Sequence, residues 1–496
     1  MSSTGTQHQS DRARWFAFAA AVAAAALTIL DLTKVNVALP SITDTLQASS
    51  TQQQLIVAGY TLAFGLVLIP AGRIGDMTSR RRVFLIGLLG FGAASLACGF
   101  AATAEALITF RLIQGVTAGM LMPQMMGMMQ SMFPSPRERG RVFGMFGGII
   151  GLSTAFGPTL GGFLIAIAGP EDGWRWGFWM NVPLAIVLAY LASHWLPRYQ
   201  ERGPKQSLDL VGLLLVGVAV LSLMLPFVLT TGSETDDPRR FVWLLVFAVF
   251  ATAFVLWERR YQASGKVPAV NLTLLRTPSY RYGILVGTCY FAANPATFLI
   301  VALFLQRGLG IEPVFAGMVT IPFALASAVT AVIGGRLVAV HGRRVVIAGL
   351  VIVMIGMSLL LVAAFLAPVA LAPWLMAGAF LIGGIGGGFV ISPNQTLTLS
   401  TVPPSQGGVA GSVVQVAQRT GNAIGVAAVT TAFYATMYRE VGGVPIDVYH
   451  DAFRNAMIVV LGLYLLALVF ALLDRESRLP ETGAIRIPNP PPAVTP

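Results

Sequence analysis

The chain is a succession of apolar runs, each about long enough to cross a bilayer, joined by short polar segments. They cover roughly 15–39, 52–72, 82–102, 105–127, 140–167, 177–196, 210–230, 240–257, 280–305, 314–339, 344–366, 372–398, 407–436 and 454–473. About 20 apolar residues span the hydrocarbon layer. No water reaches the backbone there, so a spanning run of this kind must close its own hydrogen bonds as a helix. Of the 496 residues 55% are apolar and only 11% charged. A soluble domain carries about 25% charged residues, so the composition excludes a soluble enzyme, a disordered chain and a disulfide scaffold. The expected fold class is an all-α polytopic membrane protein with 14 spans. The first run follows the polar tail Met1–Arg14 and is too long for a signal-peptide core, so it is expected to stay as an uncleaved helix.

The formal charge of +11 does not point to nucleic acid, because the basic residues sort by loop. On alternating loops only Arg175, Arg239, Arg240, Arg307, Arg439 and Arg454 fall on one side, and Lys34, Arg111 and Arg419 lie within spans. Basic loops stay inside, so both termini are expected in the cytoplasm and the protein in the cell (inner or plasma) membrane. The eight tryptophans lie near span ends, as in an interfacial belt. Cys98 and Cys289 sit inside apolar runs, and the four histidines lie near span ends or in tails. Neither pattern offers a disulfide framework or a metal site. No GxxxxGK[ST] loop is present, so no cofactor is expected and any work done on a substrate is expected to draw on something other than ATP bound by this chain. A monomer among membrane lipids is expected.

The segment Gly72-Arg73-Ile74 … Arg80-Arg81 returns as Gly335-Arg336-Leu337 … Arg343-Arg344, 263 residues later. Two repeated six-helix halves are a common plan for secondary transporters, with the substrate between them near the midplane. The expected organisation is an N-terminal bundle over 1–197, a linker with two extra helices over 198–262, a C-terminal bundle over 263–475 and a cytoplasmic tail over 476–496.

Ionisable groups inside a membrane are costly and mark function by default. Asp31 is the one carboxylate expected deep in a span, and Arg111 lies at similar depth in the fourth. They are expected to pair, either as a static packing device or as a carboxylate whose protonation changes during a cycle. Lys34, three residues from Asp31, shares its helical face. Three readings compete for it: snorkelling to the headgroups, exchange of partners with a substrate anion, or proton release.

Leu30-Asp31-Leu32-Thr33-Lys34-Val35-Asn36-Val37-Ala38-Leu39-Pro40 resembles the LDxTxVNVALP signature of the fourteen-helix branch of the drug:proton antiporters in the major facilitator superfamily. Gly72-Arg73-Ile74-Gly75-Asp76-Met77-Thr78-Ser79-Arg80-Arg81 is similar to motif A of that superfamily, and Leu107 … Arg111 … Gln114-Gly115 to motif B. Gly157-Pro158-Thr159-Leu160-Gly161-Gly162 resembles antiporter motif C, and Trp174-Arg175-Trp176 … Asn181-Val182-Pro183 the entry to the sixth helix. The resemblance implies a major facilitator fold: two six-helix repeats plus two extra central helices. It implies a proton-coupled exporter of hydrophobic or amphipathic small molecules working by alternating access, not an enzyme. Proton coupling then falls to Asp31, Arg111 and Lys34. A conformational latch falls to Gly72, Asp76, Arg80 and Arg81, with Asp76 facing a helix N-terminus or an arginine of the other half. Motif C implies a bend at Pro158 that favours export over import, with Gly157, Gly161 and Gly162 thinning that face of the fifth helix; simple tight packing is the rival reading. Many relatives carry an apolar residue where this chain has Lys34.

Tyr60, Gln114, Tyr290, Asn294, Gln415, Arg419 and Asn422 are candidate groups of a substrate cavity, with Asn294-Pro295 expected to interrupt the ninth helix. Met120, Met122, Met125, Met126, Met128, Met129 and Met132 read either as gap-fillers or as an adaptable substrate surface. The alternative cargo is a lipid or lipid conjugate. A non-transporting membrane receptor is the rival from another class, and it would not need a buried Asp31.

Overall fold

The computed structural model describes residues 11–197, 209–230, 237–266, 268–403, 406–439 and 445–476. Most of the polar linker before the seventh span and the tail over 477–496 lie outside the described residues. The long helices are α1 (Asp11–Leu46), α2 (Ser50–Met77), α3 (Arg80–Gly99), α4 (Ala104–Met132), α5 (Arg137–Gly169), α6 (Glu171–Trp195) and α7 (Leu210–Val228). They continue with α8 (Trp243–Ala263), α9 (Pro278–Leu303), α10 (Ile321–His341), α11 (Arg343–Leu366), α12 (Ala372–Leu399), α13 (Gly407–Arg439) and α14 (Pro445–Glu476). Local chemistry sets several starts. Ser49 and Gln52 form a reciprocal capping box on α2, while Ser79, Thr103 and Ser135 cap α3, α4 and α5 through their hydroxyls. Gly169, at φ 81°, breaks the helical path between α5 and α6, a backbone position that glycine adopts without steric cost.

Thirteen described helices are long and apolar enough to cross a membrane. The other long one, α13, has 33 residues, ample for a span, and its polar content explains why hydropathy alone passes over it. Gln415 and Gln418 are buried within it, and it packs among α2, α4, α7, α9 and α14. Polar side chains at membrane depth turn to protein rather than lipid.

Each half has its own apolar core. One gathers Phe18, Tyr60, Phe64, Phe84, Leu121 and Phe143; the other gathers Tyr290, Phe304, Phe323, Phe380, Phe433 and Tyr464. Helix α7 lies against both halves: Met224 meets Gly65 of α2, and Val216 and Val220 share a cluster with Ile69 and Val409. Met122, Met125, Met126, Met128, Met129 and Met132 are buried in the first core, so they fill gaps rather than present a surface.

Two expectations are corrected. Trp174 is 1% exposed and packs on Phe178, so it belongs to a core and not to an interfacial belt. Helix α9 runs through Pro295 without a break; a proline removes one intrahelical bond and bends a helix more readily than it ends one. The irregular turn comes later, as a π-helix at Phe304–Gly308. In the Pro136–Trp179 stretch the non-helical residue is Gly169; the side chain of Pro158 lies outside the described residues.

The face of the bundle that carries the 73–82 and 336–344 segments is rich in arginine and is called the basic face below. Helices α5 and α10 cross the boundary between halves and diverge away from it. A Cβ built on Gly140 would collide with the Gly335 carbonyl. The same construction gives 2.7 Å to the Ala331 carbonyl from Gly144, 3.0 Å to that of Ala328 from Gly148, and 3.8 Å to that of Ala324 from Gly151. The two halves are therefore shut at the basic face, and the contact between α5 and α10 loosens toward the opposite one.

Candidate functional site

Asp31 is fully buried at the centre of an ionic and amide network. Its Oδ2 accepts from Arg111 Nη1 at 2.7 Å. Its Oδ1 accepts from Asn181 Nδ2 at 2.6 Å and stands 3.3 Å from Lys34 Nζ. Arg111 also donates to Gln114 Oε1 at 2.7 Å and to the Ile56 carbonyl at 3.1 Å, and lies 4.3 Å above the Tyr60 ring. Its Nη2 is buried with no hydrogen-bond partner among the described residues. The pairing of Asp31 with Arg111 that membrane burial predicts is thus present as geometry. Gln114 and Tyr60 join it rather than a separate cavity.

Lys34 is 3% exposed, and its Nζ donates to Asn181 Oδ1 at 2.7 Å. It points inward, so snorkelling is excluded in this structure. Ser95 closes the network, accepting from Gln114 Nε2 at 2.5 Å and from Asn181 Nδ2 at 3.1 Å. The Cys98 thiol donates to Gln114 Oε1 at 3.8 Å. Sequence alone gives no site role to Asn181, Ser95 or Cys98. Asn181 stands inside the Asn-Val-Pro stretch and so carries a readable signal; Ser95 looks like any small residue of a spanning helix.

The glycines of motifs B and C let helices reach this network. A Cβ on Gly115 would strike the Tyr60 carbonyl, and one on Gly157 would strike the Thr33 hydroxyl. One on Gly161 would come within 2.8 Å of the Lys34 carbonyl, whereas one on Gly162 would meet nothing within 4 Å. Gly157 and Gly161 therefore seat α5 on α1 beside Lys34. Gly162 takes no part in that packing.

At the basic face Asp76 Oδ1 accepts from Arg80 Nη2 at 2.6 Å and from Arg80 Nε at 2.8 Å. Its Oδ2 accepts from the Val409 amide at 3.1 Å, in the first turn of α13. An acid at that position answers the unpaired donors of a helix start. Ser412 donates to the Leu68 carbonyl at 2.7 Å, and a Cβ on Gly72 would be 2.9 Å from the Gly408 carbonyl. Arg81 donates instead to the Ser193 carbonyl of α6. In the second copy of the repeat, where Ala339 replaces the acid, Arg343 pairs with Asp474 of α14 and donates to Asn394. Asp76→Asn is expected to leave the buried Arg80 without its anion and to cost the closed arrangement about 3 kcal/mol. Crosslinking between cysteines placed across α5 and α10 should then fall several-fold; an unchanged yield would reduce Asp76 to a topological charge.

The remaining cavity candidates do not form one cluster. Tyr290, 1% exposed, accepts from Asn294 Nδ2 at 3.0 Å inside the second core. Gln415, Arg419 and Asn422 lie on α13, and the Arg419 guanidinium stands 4.7 Å above the Phe64 ring of α2, bridging the halves near mid-height.

Two helical halves closed at one face, with a buried ion network off their boundary, define a polytopic membrane transporter. The chain belongs to the major facilitator superfamily, whose family model matches residues 16–425 and 282–494. It is 33% identical over 433 residues to the probable actinorhodin transporter of Streptomyces coelicolor, covering 86% of this chain and 73% of that protein. It is 33% identical over 492 residues to the puromycin resistance protein pur8 of Streptomyces alboniger, covering 96% and 95% respectively. The solved structure of the proton:xylose symporter XylE shares the fold, with a TM-score of 0.64 at 15% identity, covering 94% of this chain and 96% of that one. The protein is a transporter, not an enzyme.

Proposed function

We propose that the protein exports hydrophobic or amphipathic small molecules, of the drug and antibiotic class, in exchange for protons. The observation that carries this reading is Asp31, a carboxylate buried deep in its span and held between Arg111 and Lys34. A carboxylate so held changes its partners' electrostatics completely when it takes up a proton. Protonation removes the anion that keeps two cations together. Helix α5 offers the route onward, since Gly157 and Gly161 pack on α1 beside Lys34 while Gly140, Gly144 and Gly148 form the seam with α10. Loosening the first contact loosens the second, and the halves exchange which face is open. The names of the relatives support the cargo class. The substrate and protons are then the working partners, in a monomer without further cofactor.

The arginine-rich basic face is assigned to the cytoplasm of the cell membrane, with both termini there; the state described is accordingly outward-facing. Proteoliposomes with an imposed pH gradient test the function, using a panel of cationic, neutral and anionic amphipathic drugs. At least one is expected to move uphill into the more acidic compartment, and gradient-independent movement of all of them would overturn the coupling. In intact cells, cysteines at 231–236 and 440–444 should label from outside, and cysteines at 203–207 should not. The reverse pattern would invert the assignment.

A further inference from the structure

Charge inside the bundle does not balance. Away from the helix ends, the described residues hold one carboxylate, Asp31, and three cations: Lys34, Arg111 and Arg419. Asp31 already serves two of them. Arg419 has no ion-pair partner among the described residues; its one recorded neighbour of this kind is the Phe64 ring at 4.7 Å. An aromatic face attracts a guanidinium but does not neutralise it. Arginine cannot shed the charge by losing its proton. Intramembrane cations are otherwise found paired, or facing a pathway that supplies the partner.

Position agrees with charge. Arg419 lies 12 residues into α13, or about 18 Å along it, near mid-membrane. Gln415, four residues before it, and Asn422, three after it, share its face. The Asn422 Oδ1 end is buried without a hydrogen-bond partner among the described residues. Amide ends are assigned rather than observed, so Asn422 can offer either polarity to a ligand. The group therefore supplies a cation and two amides. A cationic cargo would meet an excess of positive charge here and no free carboxylate.

We propose that the cargo is an amphipathic organic anion, bearing a carboxylate or an ionised phenol, whose charge pairs with Arg419. This rests on the transport reading above and names its substrate class. Lys34, whose Nζ is shared between Asp31 and Asn181, and Arg111, whose Nη1 is shared between Asp31 and Gln114, add to the positive field without needing to touch the ligand.

The test uses purified full-length protein and three probes on one ring system: 2-naphthoate, 2-naphthylmethylammonium and 2-naphthalenemethanol, measured by equilibrium dialysis in nanodiscs. Naphthoate is expected to bind about tenfold or more tighter than the other two. Arg419→Gln should abolish that preference, and Arg419→Lys should retain part of it. Equal or tighter binding of the ammonium probe to the parent protein would overturn the proposal, a result that needs no variant to fold. So would an anion preference unchanged in Arg419→Gln. If naphthoate binds through Arg419 yet none of the probes crosses proteoliposomes under a pH gradient, the anion site stands and the transport reading fails.

Discussion

Asp31→Asn is expected to abolish uphill transport driven by a pH gradient, reducing accumulation to the level of protein-free vesicles. The substitution keeps the shape, but its single acceptor oxygen can take over only one of the two bonds that Arg111 and Asn181 donate to separate oxygens of Asp31, and it can neither hold nor release a proton. It also leaves Lys34 and Arg111 facing each other without the anion that joins them. Removing one partner of a buried ion pair costs about 3–5 kcal/mol, so reduced expression is expected alongside the loss. The double variant Asp31→Asn, Lys34→Met removes one surplus cation and should recover yield while remaining uncoupled. Downhill exchange of substrate should survive in it. Normal uphill accumulation by either variant would remove Asp31 from the coupling mechanism.

Gly140→Leu carries the second large effect. The Gly140 Cβ position is already occupied by the Gly335 carbonyl, which is backbone and cannot swing aside as a side chain can. The isobutyl group must separate α5 from α10 at the basic face, and overpacking of this kind costs about 1–3 kcal/mol. That is enough to move a two-state balance by about five- to a hundred-and-fiftyfold. The variant is expected to populate the state open at the basic face, with crosslinking across α5 and α10 nearly lost and labelling of residues near Gly144 and Ala331 gained. A leucine at Gly162, where a Cβ meets nothing within 4 Å, is the matched control and should behave as the parent. Equal crosslinking in the two variants would mean that the seam does not hold the closed state.

Much of the architecture is legible in the chain because lipid imposes a simple rule. A run that is long and apolar has to be a helix, and this rule finds the spans without reference to their neighbours. It falters at α13, whose polar groups are tolerable only because other helices cover them. It also misplaces Trp174, since a tryptophan near a span end reads alike whether it faces headgroups or, as here, Phe178. Charge is the clearest guide to the site. Asp31 and Arg111 announce each other because neither can be left alone in lipid.

The sequence by itself determined that the chain is a many-spanning helical protein, that it repeats, and that a carboxylate and its cations lie deep within its spans. Those properties follow from composition and spacing, which act residue by residue. Only the tertiary structure decided how the charges are shared. Asn181 arrives from 150 residues away to hold both Asp31 and Lys34, Asp474 arrives to replace the acid missing from the second repeat, and Arg419 is left facing Phe64. Partners brought together by packing leave no trace in local spacing, because the free energy that selects them belongs to the assembled bundle and not to any one helix.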